Sequence, residues 1–340
     1  GLTVEGKKLE GTMKFHGLYR AGNRVYFNYT LNGKTYLDSP WVKDDKFVRE
    51  FQLREEALPE SFFTGLGESE PEVITTEITH GTDGPYAIDT FKLPLDNPWN
   101  VPVMGSGLVI LPNGDALLAT MHGDVWKVEN LQYPSKEARW SRFATGLHQP
   151  LGLHVDEDGI FVLCRDQLVR LWDLDDDGDA DFYECYSDAY NTSAGGHDFI
   201  CGLERGADGS FYTASGADGV YRISGDGSKA EIVATGFRNP DGIGLTSDGL
   251  LTIPCAEGEW TPASMICAMK ISDKSVPHFG FRGPKDGETP NLPLVYLPRG
   301  LDNQTGGQQS VNSDRWGPLN GQLLHFSFGT GNHFLILKDE

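Results

Sequence analysis

Four segments of this 340-residue chain repeat one pattern: glycine or a small residue, an apolar residue, four or five positions, Asp-Gly or Asn-Gly, then alternating apolar residues. They read "GLVILPNGDALLATMHGDVWKV", "LGLHVDEDGIFVLCRDQLVRLW", "CGLERGADGSFYTASGADGVYRI" and "DGIGLTSDGLLTIPCAEGEW". The turn glycines Gly114, Gly159, Gly209 and Gly249 are 45, 50 and 40 residues apart. Asp-Gly and Asn-Gly between alternating strands mark tight hairpins, whose central positions need positive φ. One hairpin every 40 to 50 residues is the period of a β-propeller blade. A divergent fifth unit runs through "DRWGPLNGQLLHFSFGTGNHFLIL" with its turn at Asn320-Gly321, and Thr82 to Pro94 can supply an opening strand. The expected fold is all-β, a six-bladed propeller over residues 81–340, complete or truncated at its C-terminus. A β-sandwich is the alternative the same pattern allows.

Residues 1–80 differ. "MKFHGLYRAGNRVYFNYTLNGKTYLDSPWV" alternates around two turns, and the acidic "GLGESEPE", Gly65 to Glu72, reads as a linker. A small antiparallel module, or the tail of an upstream β domain, is expected there. The first residue is not Met and the last strand-like run, "HFLILKDE", stops abruptly, which suggests a piece of something longer.

Composition narrows the function classes. The 42 glycines and 19 prolines are dispersed along the chain, as a turn-dense β fold requires. A net charge of −21 argues against nucleic acid and against anionic membrane surfaces. No run of 18 apolar residues exists, so no membrane-spanning helix is expected. Cys164, Cys185, Cys201, Cys255 and Cys267 show no CxxC spacing, which argues against zinc ribbons and covalent haem. Buried free thiols are the plain reading, with one disulfide as the alternative.

"DLDDDGDADFYE" places Asp173, Asp175 and Asp177 at positions 1, 3 and 5 of a calcium loop, Gly178 at 6, Asp181 at 9 and Glu184 at 12. Asp179 adds a further candidate ligand. Alternate side chains of a tight loop converge, and Ca²⁺ takes six to eight hard oxygens. The flanking "LVRLW" and "FYECY" read as strands, so the loop is expected between propeller strands, with a solvated acidic turn as the plain alternative. A calcium there staples a blade and says little about catalysis.

Three stretches stand where inner strands should begin: "AGGHDFICGL" with His197 and Asp198, "GFRNPDGIGL" with Arg238 and Asn239, and "YLPRGLDNQTGGQQ" with Arg299, Asp302, Asn303 and Gln304. "SDRWGP" follows with Asp314 and Arg315. A neutral histidine can accept a proton near pH 7, and arginines hold polyanions through forked hydrogen bonds. His197 and Asp198 are therefore the candidate catalytic pair. Arg238, Asn239, Arg299 and Arg315 are the candidate cofactor-binding set. The plain reading is a structural histidine in a glycine-rich loop and an Arg-Asn-Pro turn cap.

"GFRNPDGIGLTSDGLLTIPCAEG" and "GGHDFICGLERGADGSFYTASGADG" resemble successive blades of the soluble glucose and aldose sugar dehydrogenases that depend on pyrroloquinoline quinone (PQQ). "DxDGDGxADxxE", "GGHDF" and "SDRWGPLxGQLLHxSFG" are more similar still to propeller proteins of planctomycete-type bacteria, which often carry a cytochrome c domain. The resemblance covers about residues 80 to 340. It implies a periplasmic or secreted dehydrogenase of sugars or other polyols, passing electrons to a cytochrome c. His197 would take the hydroxyl proton while hydride passes to the quinone, Arg238 and Asn239 would contact the quinone or its carboxylates, and Ca²⁺ would polarise its oxygens. This chain departs from the family in three places: "FICGL" follows the histidine where an arginine is usual, the later basic residues for the quinone carboxylates match only loosely to Arg299 and Arg315, and Glu257 and Glu259 stand where a Gly-Pro carbonyl pair binds calcium. Two other functions fit the same residues: a calcium-containing carbohydrate or lactone hydrolase or lyase, and a propeller that binds carbohydrate or protein without turnover.

Overall fold

A computed structural model describes residues 11–22, 24–54, 72–82, 84, 86–193, 195 and 199–337, with the backbone of Thr3–Val4 and Lys7–Lys8. Most of the linker stretch Gly65 to Glu72 therefore lies outside the described residues. The chain is nearly all β, and its one helical element among those residues is the short 3₁₀ turn Asp314–Leu319. No helix of the described residues is long and apolar enough to cross a membrane.

Five antiparallel sheets follow one another along the sequence, and each starts with an inner strand: Gly105–Ile110, Gly152–Asp156, Ile200–Arg205, Gly244–Leu245 and Thr305–Ser310. From the inner strand each sheet meanders outward through hairpins. The turn glycines Gly114, Gly209, Gly249 and Gly321 take φ between 77° and 88°, the left-handed region that the Asp-Gly and Asn-Gly pairs anticipated. Alternate residues of each strand face the two neighbouring sheets, so every inter-sheet layer is a hydrophobic core. Leu117, Val125 and Phe143 of the first sheet meet Leu153, Val162 and Val169 of the second. Phe161 and Leu163 meet Ile200 and Phe211 of the third. Tyr212 and Ala214 meet Ile243, Leu251 and Ile253 of the fourth, and Ile266 and Leu297 meet Leu323 and Ile336 of the fifth.

The inner strands approach one another at glycine. A Cβ on Gly107 would lie 3.2 Å from Leu153, and one on Gly152 would lie 2.9 Å from Leu203 and 3.0 Å from Gly202. One on Gly202 would lie 2.6 Å from the Ile243 nitrogen, and one on Gly242 would lie 2.8 Å from Gly307 Cα. The series ends at Gly307, where a Cβ would meet only the Ile243 carbonyl at 3.9 Å. Leu108 and Ile110 of the first inner strand are each 61% exposed, and Phe326 of the fifth sheet is 46% exposed. Five sheets thus form an arc, open between the fifth and the first, where six blades were expected. Tyr86 and Trp316 meet across the opening, rings 5.3 Å apart, and the Tyr86 hydroxyl donates to the Trp316 carbonyl at 2.9 Å.

The N-terminal strands extend the second sheet. Met13–Ala21 pairs with Phe182–Ser187 in the register Tyr19↔Phe182, Leu18↔Tyr183 and Gly17↔Glu184, and Arg24–Leu31, Lys34–Lys43 and Lys46–Arg54 follow outward, giving eight strands. All five cysteines are free, four of them buried.

The glycine contacts predict a steric penalty. Gly152→Ala should lower stability by about 1–3 kcal/mol, the usual cost of overpacking, read as a lower urea midpoint. An unchanged midpoint would mean that the second and third inner strands part without cost.

Candidate functional site

The N-terminal ends of the inner strands share one face of the arc, and the backbone there repeats. Gln149-Pro150-Leu151-Gly152 and Asn239-Pro240-Asp241-Gly242 lead into the second and fourth inner strands, with Gln149 and Asn239 at φ 47° and 42°. Non-glycine residues in this region cost of order 1 kcal/mol and recur where a fold holds a functional loop. The preceding residues match as well. The His148 carbonyl accepts from the Arg165 N–H, and the Arg238 carbonyl accepts from the Ala256 N–H, both at 2.9 Å. Cys164 and Cys255 lie buried beneath these turns, and the Arg238 N–H donates to the Cys255 sulfur at 3.3 Å. Burial pushes the Cys255 thiol up to about 12, so it is neutral.

Counted back from the inner-strand glycine, Arg238 and His148 hold equivalent positions, and the corresponding residue before Gly202 is Asp198. His197 and Asp198 lie outside the described residues. The Arg165 guanidinium donates to Gln149 at 2.9 Å and to the carbonyls of Ser193 and Gly195 at 2.8 and 2.6 Å. His148, Gln149 and Arg165 were missed in the sequence because "LHQPLGL" carries no glycine pair to draw attention to it.

Two of the predicted cationic residues converge. The Arg238 guanidinium donates to the Glu257 carbonyl, and Arg299 grips the Glu257 carboxylate with Nε at 2.8 Å and Nη2 at 3.4 Å. Arg315 is not part of this group. It sits in the exposed turn after the fifth inner strand, at the opposite end of that strand from Gln304, about 20 Å of strand away. Asp302 is structural: wholly buried, it accepts from Ser327 at 2.7 Å and from the Gln304 N–H at 3.0 Å, and pairs with His325 Nε2 at 2.7 Å.

Asp241 was not singled out from sequence, because its partners lie 40 and 63 residues away. The Gln304 side-chain amide donates to its Oδ2, and Cys201 Sγ lies 4.0 Å from its Oδ1. Side chains from the third, fourth and fifth sheets therefore meet at one carboxyl. Burial pushes that carboxyl up to about 6 although the Gln304 hydrogen bond opposes it. Ionising Asp241 therefore costs folding energy, absent below about pH 4 and complete above about pH 6. Asp241→Asn should gain stability over the parent as pH rises through that window, levelling at about 1–3 kcal/mol. A difference that stays constant from pH 4 to pH 8 would show the carboxyl to be unperturbed.

The acidic loop joins the third and fourth strands of the second sheet, at the end away from these residues. One oxygen each of Asp173, Asp175 and Asp177 lies within 4.8 Å of the others. Asp173 closes the loop by accepting from the N–H groups of Asp177 at 3.2 Å and Gly178 at 2.9 Å. Asp181 is 5% exposed, accepts from the Leu174 N–H at 2.7 Å, and is pushed up to about 6 by burial, with Asp175, Asp177 and Asp173 adding to the rise. Asp175 Oδ1 is buried without a hydrogen-bond partner. Crowded anions with an orphaned buried oxygen fit an oxygen-ligated cation such as Ca²⁺. Two of the candidate ligands have other partners. Asp179 faces Arg20 at 3.1 Å. Glu184 lies in the strand opposite Arg170 and accepts from Trp172 Nε1 at 2.9 Å. An EF-hand needs a helix to bring position 12 back to the ion, whereas here the chain leaves the loop as a strand at Phe182.

No family model and no curated protein matches the chain. Among solved structures it is similar to an oxidoreductase of Thermus thermophilus provisionally described as a glucose dehydrogenase, at TM-score 0.55 and 16% identity, over 70% of this chain and 80% of that one. It also matches a Trichoderma reesei protein of carbohydrate-active enzyme family AA12, at TM-score 0.44 and 11% identity, over 78% of this chain and 86% of that one. The first match shows a distantly shared, sugar-dehydrogenase-like fold.

Proposed function

We propose that the chain is a sugar or alcohol dehydrogenase-like propeller that oxidises a CH–OH group with a PQQ-class quinone and passes electrons to a cytochrome c, in the periplasm or outside the cell. The observation that carries this reading is the meeting of Arg238, Glu257 and Arg299 at the strand ends of a fold shared with a protein provisionally described as a glucose dehydrogenase. Bound there, the quinone would supply a two-electron acceptor. Arg238 and Arg299 suit its carboxylates, provided that these take over hydrogen bonds now made to Glu257. Arg315 lies too far away to contribute. His197 accepts the substrate's hydroxyl proton, and Arg165 holds the loop before it. A sixth blade in the opening between Gly307 and the first sheet would cover the exposed Leu108, Ile110 and Phe326. Incubation with PQQ and Ca²⁺ should give bound-cofactor absorbance and dye reduction with aldoses, with reduction lost in His197→Ala and cofactor affinity weakened in Arg238→Ala. No spectral change at micromolar protein would remove the proposal.

One observation favours a second reading. Both arginines are already engaged by Glu257, as suits a propeller that binds carbohydrate through polar hydrogen bonds without redox chemistry. Saturable binding of oligosaccharide with no product and no quinone uptake would select it. Turnover without any electron acceptor would select a hydrolase or lyase instead.

The acidic loop is proposed as a structural calcium site with Asp173, Asp175, Asp177 and Asp181 as side-chain ligands. Metal that binds only the folded state adds about 3 kcal/mol of stability at a hundredfold excess over its Kd. EDTA should therefore lower the melting temperature, and calcium should restore it. An identical melting curve, with no metal by elemental analysis, would leave a solvated turn.

A further inference from the structure

The proposed calcium loop and the N-terminal meander, residues 13–54, meet at one short junction. Among the described residues this is the only strand ladder that ties the meander to the arc, and its register contains three residue pairs. Leu18 packs into the core between the first and second sheets, and the polar contacts that strengthen the ladder come from the C-terminal end of the loop. The Arg20 N–H donates to the Asp181 carbonyl at 2.7 Å. The Arg20 guanidinium reaches Asp179 at 3.1 Å and the Tyr183 hydroxyl at 3.3 Å. Tyr19 stacks on Phe182 with centroids 4.3 Å apart. Gly17 lets the strands close, since a Cβ there would sit 2.2 Å from the Tyr183 carbonyl. The loop thus has two faces on one backbone: Asp173, Asp175 and Asp177 converge on one side, with Asp181 proposed to join them, while Asp179 and the Asp181 carbonyl turn to the meander.

We propose that metal in the loop is the clasp of the N-terminal meander, so that calcium decides whether residues 13–54 stay on the second sheet. This rests on reading the loop as a calcium site. Without a cation, the inward carboxylates repel one another, and the segment that must relax, Asp177 to Asp181, is the one holding Arg20. With the cation, Asp181 is fixed from inside, and its carbonyl and the neighbouring Asp179 are presented to Arg20 in a set geometry. Such coupling is reciprocal: a docked meander must in turn tighten calcium binding, and the positive Arg20 beside Asp179 offsets part of the loop's residual negative charge.

The test is amide hydrogen exchange on the full chain in calcium and in EDTA, with calcium affinity measured by calorimetry. In EDTA, or in Asp175→Asn with calcium present, exchange at the Arg20 amide should rise at least tenfold while the Ile253 amide of the fourth sheet is unchanged. Arg20→Ala keeps every inward ligand and should weaken calcium binding several-fold. Calcium binding with unchanged exchange at Arg20 and unchanged affinity in Arg20→Ala overturns the clasp and leaves the calcium site standing. No calcium binding in the parent overturns both. A rise at Ile253 equal to that at Arg20 means that the whole fold loosens, which also overturns the clasp.

Discussion

Backbone contact at glycine sets the spacing of the whole molecule. Successive inner strands come so close at Gly107, Gly152, Gly202 and Gly242 that any side chain there would strike the next strand. Sheets held together at this edge must fan outward, and the larger residues fill the widening layers: Phe161 and Phe211 in one, Tyr212 and Leu251 in the next. The same closeness brings the strand ends together. Cys201, Asp241 and Gln304 can share one carboxyl because three sheets meet there within a few ångströms.

The chain handles its excess of negative charge by position. Asp38 is buried against Arg49, Asp124 against Arg142, and Asp156 and Asp158 share Arg205. Arg49 and Arg142 come from the strand beside their carboxylates, whereas Arg205 reaches across from the third sheet to the second. The acidic loop is the exception: among the described residues, Arg20 is the one cation pairing with it, and it pairs with Asp179 alone. The inward carboxylates are left to one another, and burial raises Asp175 and Asp181 further.

The hairpins and the inner-strand glycines were legible because both are local: an Asp-Gly turn and a Gly-Leu pair carry their geometry within a few residues. Pairing between distant segments was not legible. Nothing in "FHGLYRAG" says that Tyr19 will lie on Phe182, so the N-terminal strands read as a separate module. The calcium-loop count assumes a helix after position 9, whereas the aromatic-rich run Phe182–Ser187 extends as a strand and carries Glu184 opposite Arg170. Arg315 was grouped with Arg299 by nearness in sequence, but an inner strand separates them and carries the chain to the other end of the sheet. Asp241 went unremarked beside Arg238 and Asn239 because its environment is built by Cys201 and Gln304.

Glu257 gives the mouth of the arc its chemical character. Glu257 engages both cations, Arg238 through its backbone carbonyl and Arg299 through its carboxylate, and so keeps them at one place without an external anion. Any anionic ligand must displace Glu257 from Arg299 or share it, and the displaced carboxylate then stands beside the newcomer with like charge. A polyanion therefore binds best with Glu257 turned to solvent, whereas a neutral polyol can add hydrogen bonds to the existing pair without breaking it. Asp241 pushes in the same direction, since an ionised carboxyl close to Asn239 repels anions and accepts hydroxyl hydrogens. A quinone in the proposed role must therefore draw Arg299 from the Glu257 carboxylate to its own, and the substrate hydroxyl needs no such exchange.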